Sequence, residues 1–279
     1  MNPDDFRQRS KAVWDAMAAG WEKKRAYLWS VSKPVSEWLI TNLDVRPGQT
    51  LLELACGPGD TGFAAAPLLG PAGRLIMTDF APNMVDAARR RGAELGLTNV
   101  QYRVMDAERM DLPDAAVDGV LCRWGYMLMA APALAFKETR RVLRRGGRLC
   151  FTVFGSAERN PWAAVPARAL IDNGHMALPT PDSPGILSLG NPERIKRLLA
   201  EAGFGPPRIE EVTIGFTFES TEEYWSFLRE IAGALAVVIT ALPEGDQQTV
   251  RRAIEDRLVS FRARGGYALP GVCLNVVTS

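Results

Sequence analysis

The sequence predicts an α/β fold: a mostly parallel seven-stranded sheet with helices on both faces and a helical cap. Three observations lead there. Between residues 50 and 154 five short apolar runs alternate with helical stretches, glycine and proline punctuate the changes of element, and the flanks read mainly as helix. Strands alternating with helices pair in parallel through right-handed crossovers, which buries both faces of the sheet.

Residues 1–45 read as helices, the second capped at Ser32, with Val35, Trp38, Leu39 and Leu43 at helical spacing. QTLLELAC is a buried apolar strand, followed by Gly57-Pro58-Gly59 and an Ala-rich helix ending near Leu69. RLIMTD is the second strand, and Pro82 suits the first position of a helix that stops at Gly96. VQYRVMD and AVDGVLC are the third and fourth strands. A helix over 134–143 follows, Gly146 and Gly147 break it, and RLCFTVF is the fifth strand. Residues 155–190 are Pro-rich, read as irregular, and hold the single histidine, His175. A helix over 192–202 ends at Gly203, RIEEVTIGFTF alternates like a strand with one wet face, helices cover 221–242 and 246–264, and GVCLNVV is the last strand. The resulting division is a cap segment 1–45, a core 46–154, a cap insertion 155–190, a core helix and strand 191–220, a helical cap insertion 221–266 and a final core strand 267–279. Open α/β sheets bind ligands at the carboxyl ends of their strands, so the cap is expected to overhang that edge.

Composition narrows the partners. The 279 residues suit one large domain or one domain with an elaboration. Lys+Arg 33 against Asp+Glu 32 gives a net charge of +1, which removes the electrostatic attraction expected of a nucleic-acid or anionic-membrane binder. Cys56, Cys122, Cys150 and Cys273 form no C-x-x-C pair, so neither a zinc cluster nor a disulfide framework is expected, and a reducing compartment fits. The opening MNPDDFRQRSK lacks the basic start and apolar stretch of a secretion signal, and the apolar run over 231–242 is shorter than the roughly 20 residues a membrane span needs. The default location is the cytoplasm.

Gly57-Pro58-Gly59-Asp60-Thr61-Gly62 matches G-x-G-x-x-G, and Asp79 lies about twenty residues on, at the end of the second strand. A dinucleotide site has this pattern, and so does any site where a nucleoside lies over a strand-to-helix turn. The surrounding residues separate the two. LLELACGPGD resembles the first motif of class I S-adenosylmethionine-dependent methyltransferases, with Glu53 at the family's acidic position and Ala55 in place of its first glycine, a small-for-small change. IMTDFAPNM looks like the second motif, RVMDAERMDLPDAAVDGVLCRWG is similar to the third and fourth, and ETRRVLRRGGRLCFTVF resembles the helix, double-glycine turn and fifth strand. The likeness covers about residues 50–155 and is nearest to the group of ubiquinone and menaquinone C-methyltransferases (type 11), which carry a Rossmann-like core.

The resemblance implies roles for individual residues. Gly57 and Gly59 approach the cofactor, Asp79 holds its ribose hydroxyls with Phe80 and Met84 alongside, Asp106 faces the adenine amino group and the Ala107 backbone the ring, and Cys122 and Arg123 close the site. Each has a plainer alternative: Glu53 could pair with a backbone amide, Asp79 could cap the helix at Pro82, and Asp106 could be a surface carboxylate. Asp60 in the loop disfavours a pyrophosphate at the helix N-terminus, whereas the ammonium and sulfonium of S-adenosyl-L-methionine tolerate carboxylates there. Trp21, one of four tryptophans within the first 38 residues, is a candidate ring over the sulfonium. His175 is a candidate general base, and Tyr126 a candidate for orienting an acceptor. Cys-Arg-Trp-Gly stands where amine and amide methyltransferases carry Asn-Pro-Pro-Tyr, which argues against such acceptors. The reaction so implied is in-line displacement onto a small, largely apolar or aromatic acceptor, a secondary metabolite or quinone-like compound. A nicotinamide-dependent oxidoreductase and a non-catalytic cofactor-binding partner protein are the alternatives, and a homodimer through the cap is left open.

Overall fold

The computed structural model describes residues 2–180 and 183–279. α1 (Pro3–Lys23) and α2 (Arg25–Leu43) precede an alternating half: β1 (Thr50–Glu53), α3 (Asp60–Ala65), β2 (Arg74–Asp79), α4 (Pro82–Glu94), β3 (Val100–Val104), β4 (Val117–Arg123), α5 (Pro132–Val142) and β5 (Leu143–Phe154). Then come α6 (Pro161–Asp172), α7 (Pro192–Glu201), β6 (Arg208–Phe218), α8 (Thr221–Ile231), α9 (Ala234–Ala241), α10 (Glu244–Leu258), β7 (Arg262–Ala263) and β8 (Gly266–Thr278). The sheet runs β3-β2-β1-β4-β5-β8-β6, and β7 pairs only with β8. β1 to β5 are mutually parallel, while β8 is antiparallel to both β5 and β6. The Rossmann-like reading holds, with β7 as a short eighth strand that no periodicity announces.

The strand order reverses between β1 and β4, and this positions the site. Successive strands step outward from β1 on one side and from β4 on the other, leaving a crevice above their carboxyl ends. The central strands are apolar because both faces are covered: Leu51, Leu52, Leu75, Val120 and Leu121 are fully buried. α2 crosses one face against β4, β5, β6 and β8.

Several local expectations change. Ser32 is not a cap; it lies buried inside α2, which starts at Arg25 with only Lys24 between it and α1. The buried stripe Leu28, Val31, Val35, Leu39, Leu43 carries the helix across Pro34, and its burial outweighs a proline cost of about 3 kcal/mol. Gly146 and Gly147 do not separate helix from strand but form a bulge within β5, where register jumps from Val117↔Leu143 to Gly119↔Arg148. The stretch 221–242 is two helices, bent by 108° at Gly233, whose φ is +56°. No single helix among the described residues is long and apolar enough to cross a membrane.

The Pro-rich stretch 155–190 contains α6, against the expectation of irregular chain. Pro161 sits in the first turn, where an N–H would have no partner anyway. Pro166 lies inside the helix and cannot donate to the carbonyl of Trp162 four residues back. The buried Tyr224 hydroxyl of α8 donates to that carbonyl instead, at 2.6 Å. Tyr224→Phe is therefore expected to cost about 1–3 kcal/mol of stability in urea unfolding, and less in a Pro166→Ala background, where the helix supplies its own N–H. Equal losses in the two backgrounds would refute this coupling.

Candidate functional site

The chain leaves β1 at Leu54 and turns through Ala55–Gly59 into α3. The carboxylate of Asp79, at the end of β2, gathers this loop: the Gly57 N–H donates to its Oδ2 and the Ala81 N–H to its Oδ1, both at 3.0 Å. Asp79 thus ties the loop after β1 to the entry of α4 without capping that helix, whose N-cap is Ala81 with no side-chain bond, and it also lines the crevice. Two glycines are required by packing. A Cβ at Gly59, whose φ is +96°, would overlap the Phe63 ring and the Met77 methyl, and one at Gly62 would collide with the Glu53 carboxylate.

Glu53 projects from β1 under α3, where the Gly62 N–H donates to Oε1 at 3.1 Å and Oε2 has no partner. Burial pushes its carboxyl up to about 8, although the Arg123 charge and the Gly62 N–H pull it down. Burial likewise raises Asp79 to about 6 against the N–H groups of Ala81, Gly57 and Phe80. Arg123, at the end of β4, donates through Nε to Thr61 Oγ1 at 2.9 Å, and burial lowers its pKa despite Asp60 and Glu53 nearby. Asp60, in the first turn of α3, pairs with Arg25 of α2 at 3.2 Å. The helix N-terminus therefore already faces an anion, and the loop is surrounded by carboxylates. A pyrophosphate at that helix N-terminus would meet the Asp60 carboxylate, already paired with Arg25.

Above this loop lies a crevice of about 820 Å³. Of the residues singled out in the sequence, Trp21, Ala55, Gly57, Asp79, Phe80 and Met84 line it, as do Asp106, Ala107 and Arg123. Asp79 and Asp106, ending adjacent strands, thus face one cavity. Glu53, Gly59 and Cys122 do not line it; they sit in the layer beneath, and Cys122 is fully buried. Ala55 is more than a small-for-small change. Its φ is +49°, and Trp124, just past the end of the adjacent β4, has φ +59°, a left-handed conformation costing about 1–2 kcal/mol per non-glycine residue.

A second crevice, of about 440 Å³, shares Trp14, Trp21, Trp124 and Leu128 with the first. Its remaining walls, Phe154, Trp162, Phe216, Phe227 and their neighbours, are all apolar. Trp21 belongs to both crevices, meets Trp14 edge-on at 5.9 Å, and donates its indole N–H to the Ile231 carbonyl.

The two candidate catalytic side chains lie elsewhere. Tyr126 is fully buried, stacked on Phe136 at 4.2 Å with its hydroxyl 2.6 Å from Thr139 Oγ1, so core packing claims both ring and oxygen. His175 sits in the turn after α6, its backbone N–H bonded to the Leu170 carbonyl, and lines neither crevice. Conversely, Arg7, Ser10 and Trp14 line the first crevice although no motif marks them for it, and Glu108 and Trp124, which lie within the third and fourth motif strings, line it too. The spacing of Phe6, Ser10 and Trp14 by four, with Trp21 seven further on, puts one face of α1 over the crevice and is the sequence signal that points to them.

Comparison with known proteins bears on this geometry. Residues 51–147 match the model of a methyltransferase domain. The ubiquinone/menaquinone biosynthesis C-methyltransferase UbiE of Coxiella burnetii is 26% identical over 164 residues, which are 58% of this chain and 66% of that protein. The aklanonic acid methyltransferase DauC of Streptomyces sp. is 31% identical over 119 residues, 43% of this chain and 54% of that one. The chain spans about a third to two thirds of the length of the first curated relatives it matches. The crystal structure of YcgJ from Bacillus subtilis superposes with a TM-score of 0.61 at 15% identity, covering 88% of this chain and 97% of that one, a likeness of fold. The match over 51–147 is to a methyltransferase domain, and the glycine loop and the strand ends beneath the crevice lie within that stretch.

Proposed function

We propose that the chain transfers the methyl group of S-adenosylmethionine to a small, largely apolar or aromatic acceptor, by in-line displacement. The observation that carries this reading is the apolar second crevice, joined to the acidic first one through Trp14, Trp21, Trp124 and Leu128. One cavity suits a charged nucleoside, the other a flat uncharged molecule, and they meet at aromatic walls.

The residues present fit the cofactor. Asp79 offers carboxylate oxygens to ribose hydroxyls, Asp106 offers an acceptor to an exocyclic amine, and Glu53, one layer beneath the crevice, has a buried Oε2 with no partner. When bound, the cofactor supplies an electrophilic methyl carbon on a good leaving group. The chain's own work is then alignment and exclusion of water. Aromatic walls from α1 and β4 close over the junction, and orientation of this kind is worth on the order of 7–11 kcal/mol of barrier. Neither His175 nor Tyr126 reaches either crevice, so the reading rests on orientation rather than on a base from those residues. UbiE and DauC, named for ubiquinone/menaquinone biosynthesis and for aklanonic acid, support a small-molecule acceptor of the quinone-like or secondary-metabolite kind.

Three measurements test it. The ribose needs ionised Asp79, so S-adenosylhomocysteine affinity by calorimetry is expected to fall as pH drops through about 6, and Asp79→Asn to lose roughly tenfold in affinity along with that pH step. A flat profile between pH 5 and 8 would count against the assignment. Glu53, held mostly protonated at pH 7 by a pKa of about 8, is expected to release part of a proton when the ligand ammonium arrives. The binding enthalpy would then vary with buffer ionisation enthalpy in the wild type and not in Glu53→Gln. Finally, Ile186→Trp, which fills only the second crevice, is expected to raise the KM for a quinol or aromatic-acid acceptor at least tenfold while changing nucleoside affinity less than twofold. No methyl transfer to any member of a panel of quinols, phenols and aromatic acids would favour the non-catalytic partner instead.

A further inference from the structure

We propose that Arg7 is a positioning residue that couples closure of α1 over the crevice to recognition of the nucleoside base. This rests on the reading of the first crevice as a nucleoside site. Arg7 donates through Nε to Glu108 Oε2 at 3.2 Å, with Nη2 on the same oxygen, and its Nε lies 3.4 Å from Asp106 Oδ2. The other Asp106 oxygen accepts the Glu108 backbone N–H at 2.9 Å. The Asp106 carboxylate is therefore held from both ends, by the chain on one oxygen and by α1 on the other. The side chains are 13% exposed for Arg7 and 2% for Glu108, so this pair is shielded from solvent.

The rest of α1 is held differently along its length. Of its 21 residues only Ala18 is buried. Trp14, Met17 and Trp21 pack half-buried against Phe80, Ala81 and Met84, the Trp21 indole N–H holds the Ile231 carbonyl, and the other anchors are exposed polar pairs: Asp15 accepts from the Asn83 N–H at 2.8 Å, Glu22 pairs with Arg90 at 2.7 Å, and Lys23 pairs with Glu230 at 3.0 Å. Exposed pairs of this kind add little. A single residue, Lys24, separates α1 from α2. The second half of α1 is thus seated by its aromatic side chains, whereas the first half, over the Asp106 side of the crevice, has the Arg7 ion pairs as its fastening.

The fastening uses the carboxylate that faces the base. An exocyclic amine donating to Asp106 adds to the same network that holds α1 down, so base binding favours closure and closure favours base binding by the same factor. A base with a carbonyl in place of that amine presents lone pairs to a fixed carboxylate and loses both effects.

The test uses the full chain, S-adenosylhomocysteine and its deaminated counterpart S-inosylhomocysteine. In the wild type, the adenine ligand is expected to slow backbone hydrogen exchange over residues 3–23, and the inosine ligand to bind at least tenfold more weakly. R7A is expected to release the adenine ligand at least tenfold faster, to lose the ligand-dependent protection of α1, and to discriminate less between the two bases; R7K restores part of each. Should R7A fail to fold, E108Q keeps the shape, removes the charge and is expected to behave alike. Unchanged dissociation and protection in R7A and E108Q overturn the coupling while leaving the nucleoside reading intact. If the wild type binds neither ligand, the nucleoside reading falls and the coupling with it.

Discussion

One buried carboxylate gathers backbone from two separate loops. Asp79 accepts the Gly57 N–H from the turn after β1 and the Ala81 N–H from the entry to α4, and it stands at the reversal of strand order. Were that carboxylate absent, two N–H groups would lose their acceptor at the floor of the crevice, and the loop would lose its tie to the neighbouring strand. Its position also explains its electrostatics. Burial favours the protonated form while three backbone donors favour the ionised one, which leaves the group poised near neutrality rather than in the usual carboxylate range.

The loop geometry carries strain, and the strain is localised. Ala55 and Trp124 adopt left-handed backbone just beyond the ends of the adjacent strands β1 and β4, where both line the crevice, and Gly125 is packed so closely that a Cβ there would overlap Ala55 and Cys122. Such conformations persist only where the surrounding structure over-determines them. Here the determinants are the sheet below and the packed glycine loop, so the walls nearest a bound ligand are preformed at some cost in stability.

Much of this architecture is legible in the order of the amino acids. The alternation of apolar runs and helices specifies the parallel sheet, and glycine spacing with acidic residues at strand ends locates the crevice, because these signals are local and periodic. What the order of residues conceals depends on tertiary partners. Pro166 reads as a helix breaker until Tyr224 supplies the missing donor, Ser32 reads as a cap until the stripe from Leu28 to Leu43 is seen to continue through it, and Tyr126 reads as a pocket residue until Phe136 and Thr139 claim it. His175 stands out as the single histidine, yet its uniqueness in composition says nothing of where the turn after α6 points. Arg7 is inconspicuous because its carboxylate partners lie about a hundred residues away along the chain.

The crowding of indole rings around the two crevices has an optical consequence. Trp14, Trp21, Trp124 and Trp162, four of the chain's seven tryptophans, line these cavities, and Trp14 and Trp21 ride on the helix that closes them. Indole emission responds to local polarity and to nearby quenchers, so the chain carries its own fluorophores in the walls of the cavities proposed for nucleoside and acceptor. Occupancy of either cavity is thereby written into the ultraviolet emission of the unlabelled protein, and the Trp29, Trp38 and Trp225 rings outside the crevices supply its constant background.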